Sequence, residues 1–165
     1  MFWNELATKY DRYMILKIFS VSQWTRHRYS ELAQIHNDKL IQTNAGFDLY
    51  VPDHVPCLRG EVVKIDFDIK CSAQVATDRG KIYNTGFYMY PQSSLSNTRL
   101  RLANSVGIID SGYRDNIIGA FDIIDDCSVA KDNRLTQICA PSLMPIYVVV
   151  VDKLADLDTE IERGS

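Results

Sequence analysis

Asp110 and Tyr113 flank a Ser-Gly pair in the run "VGIIDSGYRD" (106–115). An aspartate that ends an apolar strand and precedes a turn sits at a rim with restricted solvent. Such burial raises the basicity of a carboxylate and makes Asp110 a candidate general base. The same residue type also caps turns with its own side chain. Upstream, "YPQSSLS" (90–96) puts Ser93 and Ser94 in a turn after Pro91. Their hydroxyls and amides can form a concave nest for phosphate oxygens. Asn104 carries both a donor and an acceptor in its side-chain amide. Gly107 lets a second group approach the backbone closely. A base for a water and donors for phosphate are the parts that phosphoanhydride hydrolysis needs.

Other chemistries find less support. The four cysteines, Cys57, Cys71, Cys127 and Cys139, show no C-x-x-C spacing, and the three histidines are scattered. Three of the cysteines lie in apolar strand-like runs and read as buried, reduced thiols. No structural metal is expected. The net charge is -3, with 24% charged residues. That is no nucleic-acid footprint, which needs a basic face, so no nucleic-acid partner is expected. Phosphorylated small molecules stay open, because local donors hold them. Residues 1–13 are charged and polar between their aromatics, unlike a signal peptide. No apolar run is long enough for a bilayer, so no membrane association is expected. These features lead to the expectation of an intracellular protein, cytoplasmic or nuclear.

The elements that must position these residues are mostly strands. The 165 residues suggest one domain. Residues 1–44 read as an extension with two helices. One is a short helix over residues 2–12. The other, over 28–41, has Ser30 as N-cap and an apolar stripe of Leu32, Ile35 and Leu40, and reads as a surface insertion. "MILKIFSV" between them reads as a strand. From "AGFDLYVP" onward the pattern is β: "EVVKIDFDIKCSAQV", "GFYMYP", "VGIID", "NIIGAFDII", "RLTQICAP" and "PIYVVVVDKL" follow in turn. Many short strands read as an all-β barrel or jelly roll. The β-branched run "YVVVVDK" (147–153) needs burial on both faces or a second chain beside it. Residues 155–165 read as a mobile polar tail.

Five stretches in this order resemble the five motifs of trimeric dUTPases: "AGFDLY" (45–50), "PQSSLS" (91–96), "NSVGIIDSGYRD" (104–115), "RLTQICAP" (134–141) and "ERGS" (162–165). The third is the most specific. Its wording, with the inserted helix, looks most similar to dUTPases of large DNA viruses. The resemblance implies a jelly-roll subunit, a homotrimer with sites at subunit boundaries, and hydrolysis of dUTP to dUMP and pyrophosphate with magnesium. It implies that Asp110 is the base and that Tyr113 lies beneath the deoxyribose, excluding a 2'-hydroxyl. Residues 104–113 would form the hairpin that reads uracil, with Asn104, Gly107 and Ile109. Ser93, Ser94 and Gln137 would contact phosphates. Asp48 would lie near Mg2+ through water, and Arg163 would contact substrate.

The sequence departs from this pattern in three places. Gln92 stands where the second motif has arginine, and so offers an uncharged amide instead of charge-assisted donors. Asp115 stands where the third motif has glycine, a position that positive φ would strain; the αL region is one that aspartate tolerates. The fifth motif stops at Ser165, short of the Gly-rich run whose phenylalanine closes the site. These departures carry a second reading, a dUTPase-like protein that binds nucleotide or a partner without turnover. A third, dCTP deaminase, needs a glutamate on the strand after the hairpin, where this chain has Ala120 and Phe121.

Overall fold

The computed structural model describes residues 10–39 and 45–159. The strands are β1 (Arg12–Phe19), β2 (Gly46–Tyr50), β3 (Val55–Cys57), β4 (Val62–Asp66), β5 (Lys70–Thr77), β6 (Ile82–Asn84), β7 (Phe87–Pro91), β8 (Leu100–Leu102), β9 (Gly107–Ile109), β10 (Ile118–Ile123), β11 (Cys127–Val129), β12 (Arg134–Cys139) and β13 (Ile146–Val150). A helix, α1 (Gln23–Asp38), lies between β1 and β2. Among the described residues the fold is all-β with one inserted helix, and the all-β class and an inserted helix were both read from the sequence. The strands form two four-stranded sheets, β13-β1-β5-β6 and β2-β12-β7-β9, a three-stranded sheet β4-β10-β8, and the ribbon β11-β3. Among the described residues, no helix is long and apolar enough to cross a membrane.

Alternation builds the core. Ile65, Phe67, Ile69, Cys71 and Ala73 are all buried, so one face of "EVVKIDFDIKCSAQV" is continuous. The run is nonetheless two strands. Asp68 takes a φ of 62° and ends the first of them, a left-handed conformation that aspartate tolerates. β1 is buried on both faces. Met14, Leu16 and Ile18 join the main core, while Tyr13 and Ile15 join a smaller cluster with Ala76 on the other side.

The helix differs from its sequence reading. It starts earlier, with Ser22 as N-cap accepting from the Thr25 amide at 3.2 Å. Ser30 lies inside it and donates to the Arg26 carbonyl one turn back at 2.9 Å. The face turned to the core is Thr25, Tyr29 and Ala33, one residue per turn. Ile35 is 54% exposed, Leu32 packs only partly, and Leu40 lies outside the described residues. Apolar spacing misled here because Tyr29 carries both apolar bulk and a polar end. Its hydroxyl accepts the Tyr50 amide at 3.1 Å, while its ring packs near Phe47. The helix is therefore part of the core rather than a surface addition. The helix expected over 2–12 falls on residues outside the described set, except that Arg12 already begins β1.

The valine-rich run has its partner within the chain. β13 pairs in parallel with β1, with Met14 opposite Ile146 and Leu16 opposite Val148. Its outer edge faces α1. The Asn37 amide donates to the Val148 carbonyl at 2.8 Å, and the Val148 N–H donates back to Asn37 Oδ1 at 2.9 Å. His36 Nε2 donates to the Ile146 carbonyl at 2.9 Å. Side chains thus replace the strand that an exposed edge would recruit. The following residues, Leu154–Asp158, form a 3-10 turn whose Leu157 is buried. Lys17 holds that turn by donating to the carbonyls of Asp156 at 3.0 Å and Thr159 at 2.6 Å.

Candidate active site

The sheet β2-β12-β7-β9 organises the residues singled out above. Direct partners across a ladder share a face, as do residues two apart on a strand. Gln137 of β12 faces Asp48 of β2 on one side and Tyr90 of β7 on the other. Tyr88 follows on the same face, opposite Ile108 of β9. Asp48, Gln137, Tyr90, Tyr88 and Ile108 thus form one outward row. The opposite face carries Phe47, Leu49, Ile138 and Met89 into the core.

One end of this row holds the groups suited to phosphate. Gln137 donates to the Pro91 carbonyl at 3.1 Å, which fixes its amide beside the turn that follows β7. Its carboxamide lies directly over Gly46, where any Cβ would collide with it. That turn, Ser93–Asn97, is a 3-10 turn capped by Gln92. Gln92 Oε1 accepts from the Ser94 amide at 2.7 Å and from the Ser94 hydroxyl at 2.6 Å. An open groove beside it is lined by Gln92, Ser93, Arg101 and Ser105, among others. Asn104 is exposed in the adjoining loop, where its carbonyl accepts the Val106 amide at 2.6 Å.

Asp48 is half-buried and ion-paired with Arg134 at 3.4 Å. Burial pushes its carboxyl above the usual range, while Arg134 and then His36 oppose that rise. No cluster of three or more metal-ligating side chains exists among the described residues.

The other end holds Asp110. β7 and β9 are antiparallel, with Met89 opposite Gly107 and Phe87 opposite Ile109. Asp110 therefore emerges beyond the Phe87 end, whereas Ser93 and Ser94 lie beyond the Pro91 end. The four steps of β7 between them span roughly 14 Å. A groove at this end is lined by Gly86, Tyr88, Ile108, Asp110, Ser111 and Pro141, among others. Gly86 has no room for a side chain, since a Cβ would lie 2.8 Å from the Ile109 carbonyl oxygen.

The turn between Asp110 and Tyr113 is present, closed by the Tyr113 amide donating to the Asp110 carbonyl at 3.1 Å. Tyr113 packs partly against the core, and its hydroxyl donates to the Asn116 carbonyl at 2.7 Å. Burial, then the carboxylates of Asp115 and Asp66, push its phenol above the ordinary value. Arg114 wraps the turn. It donates to the Ser111 and Tyr113 carbonyls, both at 3.0 Å, and pairs with Asp158 at 2.8 Å.

Four expectations need correction. Asp110 is exposed in the single chain, not held at a rim with restricted solvent. Residues 104–113 are not a self-paired hairpin: β8 pairs with β10, while β9 pairs with β7 in another sheet. Ile109 faces inward and packs against the core, whereas Ile108 faces outward and is 72% exposed. Asp115 does not have positive φ, so its substitution for glycine carries no strain. Arg163 lies outside the described residues. The sequence reading missed Gly46, Gly86, Tyr88, Tyr90, Arg114 and Arg134. Gly46 stood in a quoted motif, but its role depends on a neighbour across the ladder.

No family model matches the chain, and no curated protein matches it. Solved structures do. A dUTPase from Streptococcus mutans is 21% identical at a TM-score of 0.49, over 67% of this chain and 83% of that one. The dUTPase of phage phi11 of S. aureus, solved for the coordination of a structural Mg(II) ion, is 17% identical at 0.49, over 68% and 84%. The dUTPase of Staphylococcus bacteriophage 80alpha, solved with dUpNHpp, is 18% identical at 0.48, over 74% and 83%. With TM-scores below 0.5, the functional reading rests on the residues of this chain. The solved structures to which the chain is similar are dUTPases, the family that its five stretches resemble.

Proposed function

We propose that the protein hydrolyses dUTP to dUMP and pyrophosphate at sites completed between copies of the chain in a homotrimer. One observation carries this reading. The phosphate-suited groups and the candidate base lie at opposite ends of the β7–β9 ladder. A single copy does not bring Asp110 to the Ser93–Ser94 turn. Two copies side by side can, and the second copy would cover the exposed carboxylate and restrict its solvent.

In that arrangement Asp110 of one copy orients and deprotonates the attacking water. Ser93, Ser94 and Gln137 of another hold phosphate oxygens. Tyr113 packs beneath the sugar, and the open edge of β9, from Gly107 to Ile109, offers backbone groups to uracil. A pocket built on such groups rejects cytosine by leaving polar atoms unpaired. Magnesium fits as an ion carried by the triphosphate. Asp48 is the carboxylate at the phosphate end, and Mg2+ commonly needs only one or two carboxylates beside phosphates and waters. Asp48 and Gln137 would hold it through water, and the ion would offset charge on the phosphates.

The test is pyrophosphate release from dUTP with magnesium, first by the parent and then by a mixture of two variants. One variant is Asp110→Asn and the other Ser94→Ala with Gln137→Ala. Turnover by the mixture that neither variant shows alone supports a shared site. A parent that is active but gives no such recovery contradicts the sharing, and an inactive parent contradicts hydrolysis.

One observation favours a second reading, nucleotide binding without turnover. Gln92 occupies both the amide and the hydroxyl of Ser94, so that part of the nest is already satisfied within the turn. Binding of dUMP or a non-hydrolysable dUTP analogue without pyrophosphate release would establish it.

A further inference from the structure

The ribbon β3–β11 places two thiols face to face. Cys127 is the direct ladder partner of Cys57, followed by Ser128 opposite Pro56 and Val129 opposite Val55. Direct partners on an antiparallel ladder point to the same face, with Cα atoms about 4.5–5.5 Å apart. Disulfides accept Cα separations of about 4.4–6.8 Å, so either kind of pair is within reach. Cβ separations of about 4.5–5.5 Å on a ladder exceed the roughly 3.8 Å mean of a disulfide. A bond here therefore draws the strands together and remains reducible. Both cysteines are free, with Cys57 buried and Cys127 half-buried.

The surroundings hold this register. The Arg59 amide donates to Asp126 Oδ1 at 2.8 Å, and the Gly60 amide donates to the Ile123 carbonyl at 2.9 Å. These bonds tie the segment after Cys57 to the segment before Cys127. The other two thiols have no such geometry: Cys71 lies opposite Ile18, and Cys139 lies opposite Gly46 and Tyr88. Burial, then the Cys127 thiol hydrogen-bonded beside it, push the Cys57 thiol above its ordinary range. Cys57 thus keeps its proton more firmly than an ordinary thiol, and Cys127 is the one that solvent reaches.

We infer that Cys57 and Cys127 form a reversible cross-strand disulfide when the protein meets hydrogen peroxide. The Cys127 thiolate attacks the peroxide oxygen. An S–O bond forms, the O–O bond breaks, and hydroxide leaves and takes a proton as water. Cys57 then gives up its proton and attacks the Cys127 sulfur. The S–S bond forms, the S–O bond breaks, and the hydroxyl leaves as a second water. The thiol pair supplies both electrons that reduce the peroxide. A small dithiol reverses the change by exchange. The bond spans a long stretch of chain, so it lowers the entropy of the unfolded ensemble and raises the melting temperature. This modification site stands apart from the nucleotide reading.

Hydrogen peroxide at graded concentration, followed by thiol counting under denaturing conditions and peptide mass spectrometry, tests the inference. Expected are the loss of two thiols, an intact mass lighter by two hydrogens, a Cys57–Cys127 cross-linked peptide, a higher melting temperature, and full reversal by dithiothreitol. Cys57→Ser should instead trap a sulfenic acid on Cys127, captured by a dimedone probe, and Cys127→Ser should form no cross-link. Two results overturn the inference. One is a chain that keeps all four thiols at peroxide levels that oxidise the half-buried Met144. The other is cross-linking confined to other cysteines or to separate chains.

Discussion

Two strand edges of this protein are treated in opposite ways. The outer edge of β13 is sealed. Asn37 exchanges a pair of hydrogen bonds with Val148, His36 takes the Ile146 carbonyl, and Tyr29 and Ala33 seat the helix that carries them. The outer edge of β9 is open. It is the last strand of its sheet, no further strand pairs with it among the described residues, and Ile108 projects from it at 72% exposure. An unpaired edge is a hazard unless it is used. The sealed edge belongs to a structural sheet. The open edge leads into Asp110 and is where backbone donors and acceptors remain free to meet a base or another copy. The difference teaches where this fold spends its side chains: α1 silences one edge, and the proposed site needs the other.

The largest effect is expected at the open edge. Asp110→Asn keeps the shape of the side chain and removes the proposed base. Turnover of dUTP should fall by about 10²–10⁴-fold, the usual contribution of general acid–base catalysis. Binding of dUMP, followed by calorimetry, should persist. An unchanged rate would remove Asp110 from the base role.

At the sealed edge, Tyr29→Ala should cost about 3–5 kcal/mol of stability in urea unfolding, the range for deleting a buried aromatic. Loss of its ring frees α1 from Phe47 and Tyr50, so β13 should lose hydrogen-exchange protection as well. Asn37→Leu isolates the edge itself. It leaves the Val148 N–H and carbonyl without partners, at a cost of about 1–3 kcal/mol for each buried group so stranded. Light scattering should then show concentration-dependent self-association that the parent lacks. If the variant is as stable and as dispersed as the parent, the side-chain pair is not what seals the edge.

Gln92→Arg sharpens the proposed site. It removes the acceptor that occupies Ser94 and offers a charged donor to phosphate. A charged hydrogen bond exceeds a neutral one by about 1.4 kcal/mol, so turnover or triphosphate affinity should rise about tenfold. Free deoxyuridine should show no gain. Equal kinetics for parent and variant would place the phosphates elsewhere.

The smallest effect is one of pH. Burial lowers the pKa of His36 in the folded chain, against smaller raising effects from the Ile146 carbonyl and Asp48. The unfolded chain then binds the proton more readily, so stability rises with pH across this window. It should be full above the unfolded value of about 6.5 and decline as pH falls from there toward the folded value. His36→Gln should flatten that slope in urea titrations between these limits. A slope that survives the substitution assigns the pH dependence to another group.

Alternation and turn chemistry determined much of the fold by themselves. The core face from Ile65 to Cys71, the strands around "GFYMYP" and "RLTQICAP", and the bend between Asp110 and Tyr113 were legible because each is set by neighbours in sequence. Only the tertiary structure decided what depends on partners distant in the chain. Tyr29 became a core residue because β2 presents an amide to its hydroxyl. "YVVVVDK" found its partner in β1 and α1, far upstream. Ile109 turned inward because β9 pairs with β7 and not with β8. The stretch around Asp110 and the serine turn were read as separate motifs, and strand register places them at opposite ends of one ladder. A sequence states which groups a chain owns and how they alternate. Register and pairing, settled by burial of the whole core, decide which of them meet.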